Sequence, residues 1–141
     1  MKVVGGFQVA VGTAMLMLWA MLLSTGQVAE VTDGRTDIWF HLGAEVVTAA
    51  LLLAGGTSLL RSRGTPTPFA RTLGAVAFGA LLYTGVNSAG YYAQLGEWAV
   101  VGMFALLTVA TIAGIVRLLD DRTPDQYRIS SKPTAASQPT R

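Results

Sequence analysis

The chain has 141 residues, of which 52% are hydrophobic and only 13% charged, with a net charge of +2. A soluble domain carries about a quarter charged residues, so a chain this poor in them cannot cover its own surface with polar groups, and its length allows a single domain. The absence of cysteine excludes disulfides, thiolate zinc sites and cysteine nucleophiles.

The first apolar run, residues 3–24, holds no ionisable side chain and ends at Ser24, Thr25 and Gly26. It has the length of a membrane span. Lys2 before it and Gln27-Val28-Ala29 after it imitate a secretory signal, but the apolar core of such a signal is about 7 to 15 residues, so the run reads as a retained helix. A polar linker follows, with Glu30, Asp33 and Asp37 against Arg35, and Asp33-Gly34 as its turn.

The second run covers residues 38–60, with Thr36 or Asp33 placed to cap it and Asp37 near the positive end of its dipole. Arg61, Ser62, Arg63 and Gly64 stop it, and in the connector Thr65-Pro66-Thr67-Pro68 the second proline suits the opening position of a helix. The third run spans residues 69–92. Gln94, Leu95 and Gly96 then leave so short a turn that the fourth run, residues 98–119, must lie antiparallel against the third. From residue 120 the chain is polar and contains Pro124, Pro133 and Pro139, the composition of a disordered tail.

These elements predict an all-α, polytopic transmembrane four-helix bundle of up-down-up-down topology over residues 1–119, with residues 120–141 as a cytoplasmic tail. With the N-terminus inside, nine of the ten Lys and Arg residues are cytoplasmic and only Arg35 is outside, the asymmetry of the positive-inside rule. Trp19, Trp39, Tyr91, Tyr92 and Trp98 then fall at the outer ends of their helices, as an aromatic belt does. Both termini are expected at the cytoplasmic face of the plasma membrane. Small residues at four-residue spacing (Gly6, Ala10 and Ala14; Ala50 and Ala54; Ala70 and Gly74; Ala110 and Gly114) offer faces for close helix packing.

One constellation carries chemistry. In the second helix Asp37, His41 and Glu45 recur every four residues and share a face. Glu45 lies about 10 Å along the helix from Ile38, inside the outer hydrocarbon layer. The third helix offers Tyr83, Asn87 and Tyr91 at the same spacing, with Ser88 beside them and Gln94 three residues on. Matching depths in antiparallel helices predicts that Glu45 meets Asn87 and that His41 meets Tyr91, with Glu97 above them. Such groups either fix the register of the bundle or form a site for a solute, proton or ion.

More specific chemistry is poorly supported. Asp37 and Glu45 are about 12 Å apart along the axis and cannot hold one metal ion, which leaves His41 and Glu45 as an incomplete pair. A hydrolytic Ser88-His41-Glu45 arrangement lacks the glycine-rich elbow that would activate the serine. No catalytic residue and no cofactor is predicted. Nucleic-acid binding is not expected either, because the basic residues flank helices, where they meet anionic lipid.

The segments Trp39-Phe40-His41-Leu42-Gly43-Ala44-Glu45 and Tyr83 through Gln94 resemble those of small, uncharacterised prokaryotic membrane proteins with four helices, a likeness that covers helices two to four and implies no activity. The chain departs from that pattern at Ala89, where a proline is expected. Multidrug exporters of similar size also have four helices and a membrane glutamate, but theirs lies in the first helix, which here has no charge. Two functions follow from the residues: a non-catalytic membrane component that assembles with itself or with a larger complex, or a carrier of a small solute, proton or ion through an outward-facing pocket on helices two and three.

Overall fold

The computed structural model describes residues 1–26, 36–62 and 65–120, and all that follows concerns these. The expected turn at Asp33-Gly34, the cap at Asp33 and the tail from residue 121 lie outside the described residues, as does the side chain of Asp37. Four helices make up the fold: α1 (Lys2–Ser24), α2 (Asp37–Arg61), α3 (Pro68–Gln94) and α4 (Trp98–Asp120). Each is long and apolar enough to cross a membrane.

Their ends follow local chemistry. Thr67 caps α3 by accepting the Ala70 N–H at 3.2 Å, and Pro68 takes the first helical position, where its missing N–H costs nothing. Thr36 precedes α2 without a side-chain cap bond. Gly96, at φ 75°, reverses the chain after α3. Its N–H donates to the Ala93 carbonyl and that of Glu97 to the Tyr92 carbonyl, at 3.1 and 3.0 Å. These two bonds form a Schellman motif, which only a residue at ease in the left-handed region closes without strain. Glu97 O then accepts from Val100 and Val101, so α4 begins at once.

Neighbouring helices pack in sequence, α1 on α2, α2 on α3 and α3 on α4, while α1 only grazes α3 and α4. Glycines set the closest approaches. A Cβ at Gly56 would lie 2.7 Å from Gly5 O, and one at Gly12 3.0 Å from Ala49 O, so α1 and α2 run antiparallel with their backbones almost touching. Phe78 is fully buried against the face of Gly114, where a Cβ would come within 2.6 Å of the ring, and Phe7 lies 6.1 Å away. The core of Val4, Leu52, Leu59, Ala70, Ala77, Phe78, Leu81 and Leu118 gathers toward the end of the bundle where α1 starts and α4 finishes.

The small residues in use differ partly from those expected. Ala70 and Gly74 are buried and Gly114 packs on Phe78, but Ala10, Ala14, Ala50, Ala54 and Ala110 are exposed and Gly6 has open space beside it. The contact faces are Gly5 and Gly12 on α1 and Ala49 and Gly56 on α2, about one residue round each helix. Gln8 explains the turn of α1: it lies on the face shared by Gly5 and Gly12, and its amide is directed inward. Much of the remaining surface is apolar, with residues such as Met17, Phe40, Leu106 and Val109 exposed along the helices. A surface of this kind suits a lipid environment.

The glycine contacts predict a sharp positional contrast. Gly56→Ala drives a methyl into the α1 backbone and should lower the unfolding free energy in mixed micelles by about 1–3 kcal/mol, the usual cost of overpacking. Gly102→Ala meets nothing within 4 Å and should stay within about 0.5 kcal/mol of the parent, as exposed substitutions do. Equal effects at the two sites would show that close approach is not what holds α1 to α2.

Candidate functional site

Most hydroxyls inside the bundle answer to their own helix. Thr48, Thr57, Thr84 and Thr111 each donate to the carbonyl four residues back, at 2.6–3.1 Å, which satisfies them without any partner helix. Ser88 behaves differently. Its Oγ donates across to Oε1 of Glu45 at 3.3 Å, a long bond between α3 and α2. Glu45 is only 9% exposed, so this hydroxyl meets a carboxylate largely removed from its surroundings.

His41 sits one turn away on α2, with Nε2 at 3.8 Å from the same Oε1. Its side chain is 35% exposed, and its ring stands edge-on to Trp19 of α1 at 6.0 Å between centroids. Trp19, His41, Glu45 and Ser88 therefore join three helices at the end of the bundle away from the buried apolar core. The sequence places His41 and Glu45 on one face, and they are there. It does not anticipate the contact with Trp19.

The expected partner on α3 is displaced by one position. Ser88, buried, takes the place foreseen for Asn87, which is exposed. One residue is 100° of helix, and buried Ala77, Leu81, Thr84 and Gly85 turn that side of α3 inward, carrying Asn87 and Tyr83 to the outside. Tyr83 is 70% exposed. With Gly79, Leu82 and Val86 these two line a shallow depression of about 410 Å³ on the outer face of α3. Within the described residues the Asn87 amide has no hydrogen-bond partner.

Among the remaining candidates, Tyr91 lies edge-on to Tyr92 at 5.4 Å, and Tyr92 stacks on Phe104 of α4 at 6.0 Å, which anchors the top of the α3–α4 pair. Gln94 and Glu97 are exposed beside the tight turn. Asp37 opens α2. No group of three or more His, Cys, Asp or Glu side chains suited to a metal ion occurs among the described residues, so His41 and Glu45 would need ligands from elsewhere to hold one.

Gln8, outside the ionisable constellation of α2, is the most deeply buried amide among the described residues. It is 0% exposed, and Nε2 donates to the backbone carbonyl of Gly74 on α3 at 2.8 Å. Its Oε1 has no donor among the described residues. It occupies the room left by the missing side chain of Gly55, 3.3 Å from where a Cβ would stand, against glycine Cα–H groups that make at best a weak C–H···O contact. The signal was present in the sequence: an amide in an otherwise apolar run, three residues after Gly5 and four before Gly12. That pattern is suited to a polar tie between closely packed helices.

Residues 1–130 match the family model described as a domain of unknown function (DUF8058), and the chain belongs to that family. No curated protein matches it, and no solved structure does either.

The displaced register is open to measurement in dilute micelles. Ser88→Ala removes the donor to Glu45 and should lower the unfolding free energy by about 0.6–1.7 kcal/mol, the range for hydrogen bonds between membrane helices. Asn87→Ala, on the outer face, should change the stability of the single chain by less than about 0.5 kcal/mol. The reverse order would return Asn87 to the interior.

Proposed function

We propose that this member of the family is a multi-pass component of the plasma membrane with no catalytic activity of its own, acting by assembly with itself or within a larger membrane complex. The observation that carries this reading is the fate of Glu45. The one carboxylate set well into a span is bonded to Ser88 of the next helix, and Asn87, which a solute pocket would have paired with it, faces away. A carboxylate tied in this way fixes helix register. Gln8 does the same between α1 and α3.

In this reading both termini lie at the cytoplasmic face, on the strength of the nine inside basic residues. The lipid bilayer is the solvent of the helices, and the flanking arginines meet anionic headgroups rather than nucleic acid. No cofactor is required. The alternative is passage of a proton, ion or small solute past His41 and Glu45. It is favoured by the partial exposure of His41, 3.8 Å from a buried carboxylate.

Two measurements separate these readings. Gentle extraction from native membranes should yield the chain in particles larger than one copy, with mass spectrometry giving their composition. Reconstituted alone into vesicles, it should leave an imposed proton or potassium gradient unchanged. A gradient that collapses with the parent chain and persists with Glu45→Gln would overturn the component reading in favour of the carrier.

A further inference from the structure

Polar side chains in membrane helices ordinarily face the bundle interior, because an unpaired amide or hydroxyl in hydrocarbon is costly. α3 breaks this rule at two positions one turn apart. Tyr83 and Asn87 are both exposed, and neither makes a hydrogen bond within the described residues. Asn87 is seven residues from the end of α3 at Gln94, about 10 Å along the axis, and Tyr83 about 16 Å. In a span whose hydrocarbon layer is about 30 Å thick, both side chains start below the headgroups.

The surroundings of these two groups are those of an interface. Gly79, one turn below Tyr83, and Gly90, three residues above Asn87, have nothing within 4 Å of their missing Cβ atoms. A second helix can therefore come close above and below the amide. The shallow depression between Gly79 and Asn87 is open to the outside, where a side chain from a second helix can lie against it.

We infer that this face of α3 is the contact between two copies of the chain, related by a twofold axis along the membrane normal, with the Asn87 amides bonded to each other. The inference rests on the reading of the protein as a component that acts by assembly, and it names the surface and the partner. Copies inserted the same way present the same residue at the same depth, so a twofold axis passing beside Asn87 brings a second amide opposite the first. A carboxamide both donates and accepts, hence two of them across a twofold satisfy one another. Tyr83 of each copy enters the depression of the other beside Gly79. A lipid tail would leave both polar groups unpaired.

The absence of cysteine from the sequence makes the test clean. In native membranes, oxidation of the Val86→Cys chain should give a disulfide-linked homodimer. Leu106→Cys on the exposed face of α4 and Met17→Cys on that of α1 should remain monomeric. Asn87→Leu, a lipid-compatible change that leaves the interior untouched, should weaken self-association in micelles by about three- to thirty-fold, equivalent to one interhelical amide contact, while Asn87→Gln should retain it. Cross-linking of Val86→Cys no greater than that of Leu106→Cys, or equal association of the Leu and Gln variants, would overturn the inference. An adduct of Val86→Cys with a different protein would also overturn it while leaving the component reading intact. A chain that runs as a single copy in every native extract would remove both.

Discussion

Helices in lipid gain little by hiding leucine from their surroundings, since the acyl tails are just as apolar; what holds them together is close packing and a few polar bonds. The constraint that governs this protein is accordingly the distance between backbones. Gly5 against Gly56 and Gly12 against Ala49 bring α1 onto α2 with no side chain between them. That approach fixes the rotation of both helices. Gln8, on the same side of α1, then has a single place to go, the gap at Gly55, from which it reaches the carbonyl of Gly74. Three helices are set by one amide and a handful of missing methyl groups.

The two ends of the bundle are built differently as a result. Toward the start of α1 and the end of α4 the interior is dry and interlocked, with Phe78 wedged between Phe7 and Gly114 and Leu118 closing the end. Toward the other end the contacts are polar or aromatic: Trp19 on His41, Ser88 on Glu45, and Tyr92 on Phe104. A polar contact depends on direction, where apolar packing depends only on shape. At the polar end the Ser88–Glu45 bond ties α3 to α2 in one direction, while at the other end shape and the Gln8–Gly74 bond hold the helices in register.

The sequence made the four helices plain because spanning length and missing charge are properties of a whole segment, insensitive to a residue of error. Pro68 and Gly96 were equally legible, each tied to a backbone geometry that few other residues satisfy. Rotation about the helix axis was not. α3 is apolar nearly all round, so nothing in its pattern decides between Asn87 and Ser88 as the inward group. The deciding facts are the burial of Ala77, Leu81 and Thr84 against other helices, which are properties of the assembled bundle. The small-residue stripes failed on α1 and α2 for the same reason: alanine and glycine occur on several faces, and only the position of Gln8 selects among them. Spacing along α2 put His41 beside Glu45 because that contact is internal to one helix.

The bond from Gln8 to Gly74 spans 66 positions of the chain, which has a consequence for biogenesis. α1 is translated before its acceptor, and its amide then lacks the Gly74 carbonyl. Until α3 arrives, an isolated first helix carries a hydrogen-bonding group that lipid cannot satisfy. The tie that sets the finished geometry therefore closes only once the third helix has been made.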